Sequence, residues 1–456
     1  MSANYPIGLY NFSYNCYMNS LLQCLYYCRD FRNEILKMKI NEPYSMQMCV
    51  VLKGLMEGLK NCKVRSFNPK KIKNELNNYE LFKNGKEADV TDLLDQIFYS
   101  VISEIKNEDT SCDTIRYENR LDSKSAMFED IKKDIDFSIV INKLFLGFYE
   151  KEFKCEINKY HKKYSFQNEY RIVFPLEEIY KFYNNKENLT LDDCFSYNYK
   201  NKIKNFERCY KCTSHFNLIE KIYQTPRILI IILDRGPNKK FQQTIEFEEY
   251  LNLKDYVDDD SKGNRNEFKL IGVITHFGNS GSSGHYISYC LCDDNNYYCF
   301  NDSSVSIITE KGKKVDISSL YNGSAYVLFY QKLKPDEKKI FLFNKKSQDY
   351  PNNLVNLSKL MLEKIYIICN KYHFNIESHK ENEYTWKNGR QKSIVVIFNE
   401  PMVILSFKYK CCETNLNNKF YGDKKETFNV KLEYNEEKLK SILSFFEEKS
   451  RQLFYK

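Results

Sequence analysis

The sequence predicts an α+β protein in two parts: a large core over residues 5–332 and a separate α+β module over residues 340–456. Three observations carry this reading. Apolar residues recur at helical spacing in two early segments. Between Phe268 and Tyr330 they come instead in short runs divided by polar turns, the pattern of antiparallel strands. A lysine-bearing linker from Lys332 to Lys339 then precedes a stretch of different character, and 456 residues is about three times one ordinary domain.

The elements follow in chain order. In Cys16 to Leu36, residues Met18, Leu21, Leu22 and Leu25 share one face, which predicts a buried helix. From Val90 to Ile105, residues Leu93, Leu94, Ile97, Phe98, Val101 and Ile105 do the same. Residues 106 to 225 are rich in Lys, Asn and Tyr and only weakly periodic, so no element is assigned there. Pro226 to Leu233 is a β-branched run closed by the turn signal Asp234-Arg235-Gly236-Pro237. Phe268 to Phe277, His285 to Cys292, Tyr297 to Phe300 and Ala325 to Tyr330 read as one antiparallel sheet. The module reads as a helix (Leu354 to Tyr372), strands including Ile394 to Phe398 and Met402 to Tyr409, and a last helix (Glu436 to Phe454). Its lone Trp386 reads as packing, and nothing in its sequence names a function.

Composition narrows the function classes. Apolar residues at 42% and charged residues at 29% suit a folded soluble chain. The longest apolar run, Ile228 to Leu233, is strand-sized, and Met1 to Asn11 lacks the pattern of a signal peptide. The expectation is a chain with no membrane association, cytoplasmic or nuclear. The 69 basic residues against 61 acidic give +8, interspersed along the chain, and no paired aromatic-basic motif is present, so no nucleic acid is expected. Sixteen cysteines are too thinly spread for a disulfide scaffold. They read as reduced thiols serving as packing groups, metal ligands or a nucleophile.

Cys16 stands just before the first predicted helix, in Asn11-Phe12-Ser13-Tyr14-Asn15-Cys16-Tyr17-Met18-Asn19-Ser20. A thiol at a helix N-terminus meets unbonded N–H groups and the positive end of the helix dipole, and both favour the attacking thiolate. The same amides can hold an oxyanion, and the side chain of Asn11 can add a further N–H. Taken alone, a cysteine is more often a buried packing group.

A nucleophilic thiol needs a base, and the chain has six histidines. His285 follows Gly281-Ser282-Ser283-Gly284, a loop whose glycines admit a substrate backbone. Sixteen residues later, Asn301-Asp302 opens a turn whose side chain is expected to accept the imidazole Nδ1–H, leaving Nε2 to take the thiol proton. In the order Cys16, His285, Asn301, these residues make a cysteine-protease constellation.

At these residues the sequence resembles the ubiquitin-specific proteases, papain-like cysteine proteases with a helical thumb and a β-rich palm and fingers. The first match is Gly8-Leu9, Asn11 and Cys16 to Ser20 with Leu22-Gln23. The second runs from Val273 through His276, Gly278, Gly284-His285-Tyr286, Phe300-Asn301-Asp302 and Val305 to Ala325–Tyr330. The resemblance covers roughly residues 5 to 332 and implies a deubiquitinase that cuts after ubiquitin's C-terminal glycine. It implies Cys16 as nucleophile, His285 as base, Asn301 as third triad member, and Asn11 and Asp302 near the oxyanion. It also places Tyr286 along the channel for the Gly-Gly tail, and Asp89 and Asp92 against the basic part of that tail. The implied partners are ubiquitin and ubiquitinated proteins, bound by a monomer that needs no cofactor for catalysis. The other readings kept open are a protease for a related modifier and a non-catalytic ubiquitin-binding scaffold. Beside such a core, the module would choose substrates or partners.

Cys209-Tyr210-Lys211-Cys212 has the spacing of a metal knuckle, which supplies two of the four ligands of a structural zinc. The family's fingers often carry an earlier cysteine pair. Here that place reads Cys155-Glu156-Ile157-Asn158, one thiolate short, with His161 close by in sequence. Zinc held by Cys155, Cys209 and Cys212 therefore stays open against fingers that hold by packing alone.

Overall fold

The computed structural model describes residues 5–41, 43–83, 88–106, 117–118, 124–201, 203–236, 241–258, 266–280, 283–308 and 324–334, together with 365, 375–380, 383–388, 392–399, 402–415, 418–431, 444, 446 and 448. The chain divides into two compact units, Met1–Leu333 and Lys334–Lys456.

The first unit opens with a helical layer. The short strand β1 (Gly8–Leu9) pairs in parallel with β2 (Ser66–Phe67). Helices α1 (Cys16–Tyr27), α2 (Arg29–Lys37), α3 (Gln47–Asn61), α4 (Lys70–Leu76) and α5 (Val90–Lys106) pack on one another. Every residue of α1 is buried, so this helix is the centre of the layer and not a surface element. The single helix expected over Cys16 to Leu36 is two helices. The chain turns extended at Cys28 (ψ 90°), and α2 then buries only Phe31 and Ile35. That bend lets Arg29 and Arg32 reach Asp293 at 3.0 and 2.9 Å, tying α2 to a distant turn.

The stretch that sequence periodicity left unassigned forms a second, β-rich body. Strands β3 (Tyr117–Glu118), β4 (Gly147–Cys155), β5 (Lys162–Glu169), β8 (Ile203–Arg208) and β9 (His215–Gln224) make a sheet in the order β3-β5-β4-β9-β8. Helix α6 (Lys124–Lys133) packs Met127, Phe128 and Ile131 against this sheet, whereas α7 (Val140–Phe145) packs back on α2 and α5. Lysines and acids replace apolar residues along these strands, which is why they show no period. Lys124 bonds Glu150 at 2.9 Å and Asp258 at 2.6 Å, and Lys221 reaches Asp258 at 3.3 Å, with all three elements drawn together by charge.

The third body is an eight-stranded sheet. It comprises β6 (Ile172–Pro175), β10 (Ile228–Asp234), β12 (Tyr250–Asn252), β13 (Glu267–Ser280), β14 (Ser283–Leu291), β15 (Tyr297–Asn301), β16 (Ser304–Ile307) and β17 (Ala325–Lys332). Its order is β16-β15-β14-β13-β17-β10-β6, with β12 on β13. All four runs expected between Phe268 and Tyr330 are strands here, and their mutual pairings are antiparallel. Strand β10 pairs in parallel with β6 and is buried along nearly its whole length, as its continuous Ile/Leu run requires. Helices α8 (Leu176–Phe182) and α9 (Leu191–Tyr199) cover one face, and a small pair joins β7 (Leu189–Thr190) to β11 (Ile245–Glu246). The other face takes α1, which packs on β13 and β14. The α+β, papain-like arrangement expected from the sequence is the one observed.

The second unit contains a five-stranded antiparallel meander: β18 (Asn375–Lys380), β19 (Glu383–Asn388), β20 (Lys392–Asn399), β21 (Met402–Asn415) and β22 (Asn418–Lys431). The strands expected at Ile394 to Phe398 and Met402 to Tyr409 lie in β20 and β21. Of the two expected helices, Ile365 and the positions Ser444, Phe446 and Glu448 are helical, and the rest of both spans lies outside the described residues. Among the described residues no helix is long and apolar enough to cross a membrane, and the described cysteines of the first unit are free thiols.

Candidate active site

Cys16 is the first residue of α1, and Asn15 before it is fully buried. The loop that delivers them is pinned by side chains. Asn15 Oδ1 accepts the backbone N–H groups of Phe12 (2.9 Å) and Ser13 (3.2 Å). Gln23 Nε2 donates to Ile7 O at 2.8 Å. Cys16 itself is 7% exposed, on the helix that packs against β14. It therefore stands at the helix N-terminus, as the sequence led one to expect.

His285 lies near the start of β14, and Asn301 ends β15, the adjacent strand. The two side chains meet at 2.7 Å, between imidazole Nε2 and Asn301 Oδ1. This corrects the expected tautomer. The amide oxygen can only accept, so Nε2 carries the hydrogen and Nδ1 keeps the lone pair that takes a proton. The spacing of His and Asn in sequence sets which residues meet but carries no information on which ring nitrogen turns to which partner.

Gly284 is required at its position. A Cβ there would stand 2.1 Å from His276 Nε2 and 2.9 Å from Phe277 O. Its absence lets the buried His276 ring sit beneath the strand entry, tilted 56° against the ring of Tyr286 with centroids 4.6 Å apart. Burial pushes the Tyr286 phenol well above its ordinary value, and the neighbouring Asp89, Tyr326 and Cys16 push it further. Tyr286 thus lies near both Cys16 and the start of α5.

Asn301 is followed by Asp302, which takes a left-handed backbone (φ 51°) in the two-residue turn between β15 and β16. Asp is among the few residues that tolerate this. Its carboxylate accepts from Asn11 Nδ2 at 2.8 Å and from Asn19 Nδ2 at 2.7 Å. Asn11 and Asp302 are therefore brought together as expected, and Asn19 joins them unforeseen. A signal for it existed: Asn19, Ser20 and Gln23 are polar residues on a helix with no exposed face.

Asp89 and Asp92 flank the start of α5, where negative charge is favoured by the helix dipole. Asp89 accepts from Thr91 N and Thr91 Oγ1, each at 2.9 Å, and from Tyr326 Oη at 3.2 Å. Asp92 is exposed. Arg171, just before β6, is ion-paired with Asp95. Burial pulls its guanidinium below the usual value, while Asp92 and Tyr326 act in the opposite sense. This arginine was not foreseen, since it stands about 80 residues away in the stretch without period.

At the far end of the β3-β5-β4-β9-β8 sheet, Cys155, His161, Cys209 and Cys212 place their ligand atoms all within 4.8 Å of one another. Cys155 Sγ and Cys212 Sγ are 3.4 Å apart, and Cys209 Sγ is 3.6 Å from His161 Nδ1. Tetrahedral bonds of about 2.3 Å to sulfur and 2.0 Å to nitrogen put ligand atoms roughly 3.5–3.8 Å apart, close to the spacings of this cluster. Burial opposes the Cys155 thiolate, but the backbone N–H groups of Asn158 and Ile157 and the adjacent thiols outweigh it and lower the pKa. At Cys212 the Ser214 N–H favours thiolate, yet burial and the thiols of Cys155 and Cys209 raise it to about 11. A bound cation would favour the thiolate form at all three cysteines. His161 places a ring nitrogen among them, the fourth candidate donor that the sequence left unassigned.

The family model for ubiquitin carboxyl-terminal hydrolases matches residues 7–330. Ubiquitin carboxyl-terminal hydrolase 25 of Arabidopsis thaliana is 27% identical over 351 residues, which cover 72% of this chain and 47% of that protein. Ubiquitin carboxyl-terminal hydrolase 8 of Saccharomyces cerevisiae is 31% identical over 163 residues, covering 32% of this chain and 33% of that one. The chain thus spans about half the length of the first relative and about a third of the second. Among solved structures, the SAGA Ubp8/Sgf11/Sus1/Sgf73 DUB module bound to ubiquitin aldehyde superposes with a TM-score of 0.53 at 20% identity, covering 72% of this chain and 70% of that one. This likeness is one of fold.

Proposed function

The chain belongs to the ubiquitin carboxyl-terminal hydrolase family, and from that premise we propose that it is a cysteine-type deubiquitinase hydrolysing the isopeptide or peptide bond after ubiquitin's C-terminal glycine. The observation that carries the reading is the 2.7 Å contact of His285 Nε2 with Asn301 Oδ1, on strands packed against the helix that begins at Cys16. The thiolate of Cys16 attacks the glycine carbonyl. His285 Nδ1 takes the thiol proton and returns it to the leaving lysine amine, while Nε2–H stays on Asn301. Backbone amides at the start of α1 and the side-chain amide of Asn11 receive the oxyanion. Water, deprotonated by the same imidazole, then releases the acyl group from sulfur. Asp302 orients Asn11; Asp89 and Asp92 hold the basic tail, and Tyr286 walls its channel. The chain acts on ubiquitinated proteins in the cytoplasm or nucleus as a monomer, with no nucleic acid as ligand.

Zinc, in this reading, is structural: Cys155, His161, Cys209 and Cys212 hold it and so close the end of the fingers. It takes no part in the reaction.

A ubiquitin probe bearing a C-terminal electrophile tests the proposal. It is expected to label the wild-type chain at Cys16 and to leave Cys16→Ala unlabelled but still able to bind ubiquitin. Binding without any capture would favour a scaffold. One observation favours a second reading: Arg171 neutralises part of the acidic row at α5, which suits a modifier with a less basic tail. Preferential labelling by a related modifier's probe over ubiquitin's would select it.

A further inference from the structure

Asn19 stands one turn after Cys16 on α1 and is only 2% exposed. Its amide reaches three acceptors: Asp302 Oδ1 at 2.7 Å, Tyr10 O at 3.2 Å and Leu9 O at 3.4 Å. The second carboxylate oxygen of Asp302 accepts from Asn11 Nδ2 at 2.8 Å. Asn11 Oδ1 in turn accepts from Asn15 N at 3.4 Å. The backbone joins in, with Asp302 O accepting from Leu9 N at 2.9 Å. One carboxylate therefore links the loop that precedes the nucleophile to the turn that carries Asn301.

We propose that Asn19 is a positioning residue for acyl transfer: it fixes the Asp302 carboxylate, which aims the Asn11 amide at the oxyanion and keeps the Asn301 turn in register with Cys16. The inference rests on the hydrolase reading above. Its logic is one of restraint. An asparagine amide can present either its oxygen or its N–H groups, and only a fixed acceptor on one side decides which. Asp302 is that acceptor for Asn11, and two rotatable bonds separate its carboxylate from the backbone. A second donor on the other oxygen removes that freedom, and Asn19, buried in the central helix, cannot itself swing away. Oxyanion donors act only when held in place before charge develops, so the effect falls on kcat and not on substrate binding.

The test uses the full chain and a fluorogenic amide of ubiquitin's C-terminus, with kcat and KM followed between about pH 5.5 and 8.5 and the thermal transition recorded for each variant. Asn19→Ala is expected to lower kcat about 30-fold with KM changed less than about twofold. Asn19→Asp sets two carboxylates against each other. Its deficit should be largest at alkaline pH and shrink as pH falls, because the pair then shares one proton and regains a donor. In the exchange of Asn19→Asp with Asp302→Asn, the carboxylate at 19 accepts from the amide at 302, whose oxygen still accepts from Asn11. This double variant should recover roughly tenfold over Asn19→Asp alone.

A kcat for Asn19→Ala within twofold of wild type overturns the proposal, as does a loss confined to KM. So does an Asn19→Asp deficit that is flat with pH, or an exchange that recovers nothing. If Asn19→Ala does not fold, the two aspartate variants decide by themselves. A wild-type chain inert towards the ubiquitin substrate would overturn the hydrolase reading and this one together. An active wild type with indifferent Asn19 variants overturns this one alone.

Discussion

Replacing Gly8 by alanine should separate the two halves of the site. A Cβ on Gly8 would lie 2.5 Å from Ser303 O, 2.6 Å from Ser303 C and 2.7 Å from Asp302 O, all of them backbone atoms. Ordinary contact begins at 3.4 Å, so the strand and the turn must part by about 0.9 Å. The strand has little freedom to give, since Gly8 N donates to Arg65 O at 3.1 Å and Leu9 is fully buried. The displacement therefore falls on the Asp302–Ser303 turn. It stretches the 2.7 and 2.8 Å bonds to Asn19 and Asn11 beyond the ~3.2 Å of a good hydrogen bond and drags Asn301 from His285. A misplacement of about 1 Å costs roughly 100-fold in rate, or about 2.7 kcal/mol of barrier. Overpacking costs about 1–3 kcal/mol of stability, a few degrees in thermal midpoint for a domain of this size. The assay is kcat on a ubiquitin C-terminal fluorogenic amide beside a thermal scan. Gly54→Ala is the control, because its Cβ would meet nothing within 4 Å on the exposed face of α3 and should leave kcat unchanged. If Gly8→Ala kept kcat within threefold of wild type while folded, the close approach would not govern the site.

Elemental analysis of the purified chain should find about one zinc per molecule. His161→Ala should abolish it and His161→Cys retain it, and a zinc-free protein from metal-replete expression would refute the four-ligand assignment. Glu150 has its pKa raised from 4.5 to about 7, chiefly by burial, although Lys124 opposes the shift. The folded state thus holds a proton that the unfolded state releases, so stability from this group is full below about pH 4.5 and is lost as pH rises towards 7, by at most about 3 kcal/mol. Glu150→Gln should flatten that slope in denaturant titrations, and an identical slope in both proteins would refute it. Asp92→Ala should raise KM for the ubiquitin substrate about 5- to 10-fold with kcat unchanged, and a loss confined to kcat would remove Asp92 from tail binding.

The parts that sequence makes legible are those where chemistry is scarce or apolar period is strong. Six histidines and one cysteine before a helix left few candidates for a thiol–imidazole pair, and His285 with Asn301 proved to be in contact. Strands β13, β14, β15 and β17 were readable because continuous apolar runs were separated by polar turns. The fingers were not, because their strands carry mixed burial: β5 has one buried residue among eight. Its charged residues are spent on ion pairs such as Lys163 with Glu207, which no periodicity reports. The break at Cys28 was equally hidden, since no glycine or proline marks it. His161 and Asn19 share a different obstacle. Each is one polar residue whose partners stand elsewhere in the chain, so only the fold tells it from a solvated neighbour.

The restraints on the three reacting side chains are unequal, and this orders the consequences of damage. The segment before Cys16 is stitched to the turn after Asn301 by Tyr5 Oη to Val305 O (3.0 Å), Leu9 N to Asp302 O (2.9 Å) and the two asparagine bonds to the Asp302 carboxylate. Nucleophile and tether therefore move as one body. His285, half-buried at the start of β14, has its Nε2 tethered to that body by a single bond to Asn301. Cutting the tether leaves the thiol environment intact and disorders only the base, which still finds its geometry part of the time. Cutting the stitch displaces oxyanion donor and tether together, so the second lesion costs more rate than the first, although it lies farther from the imidazole.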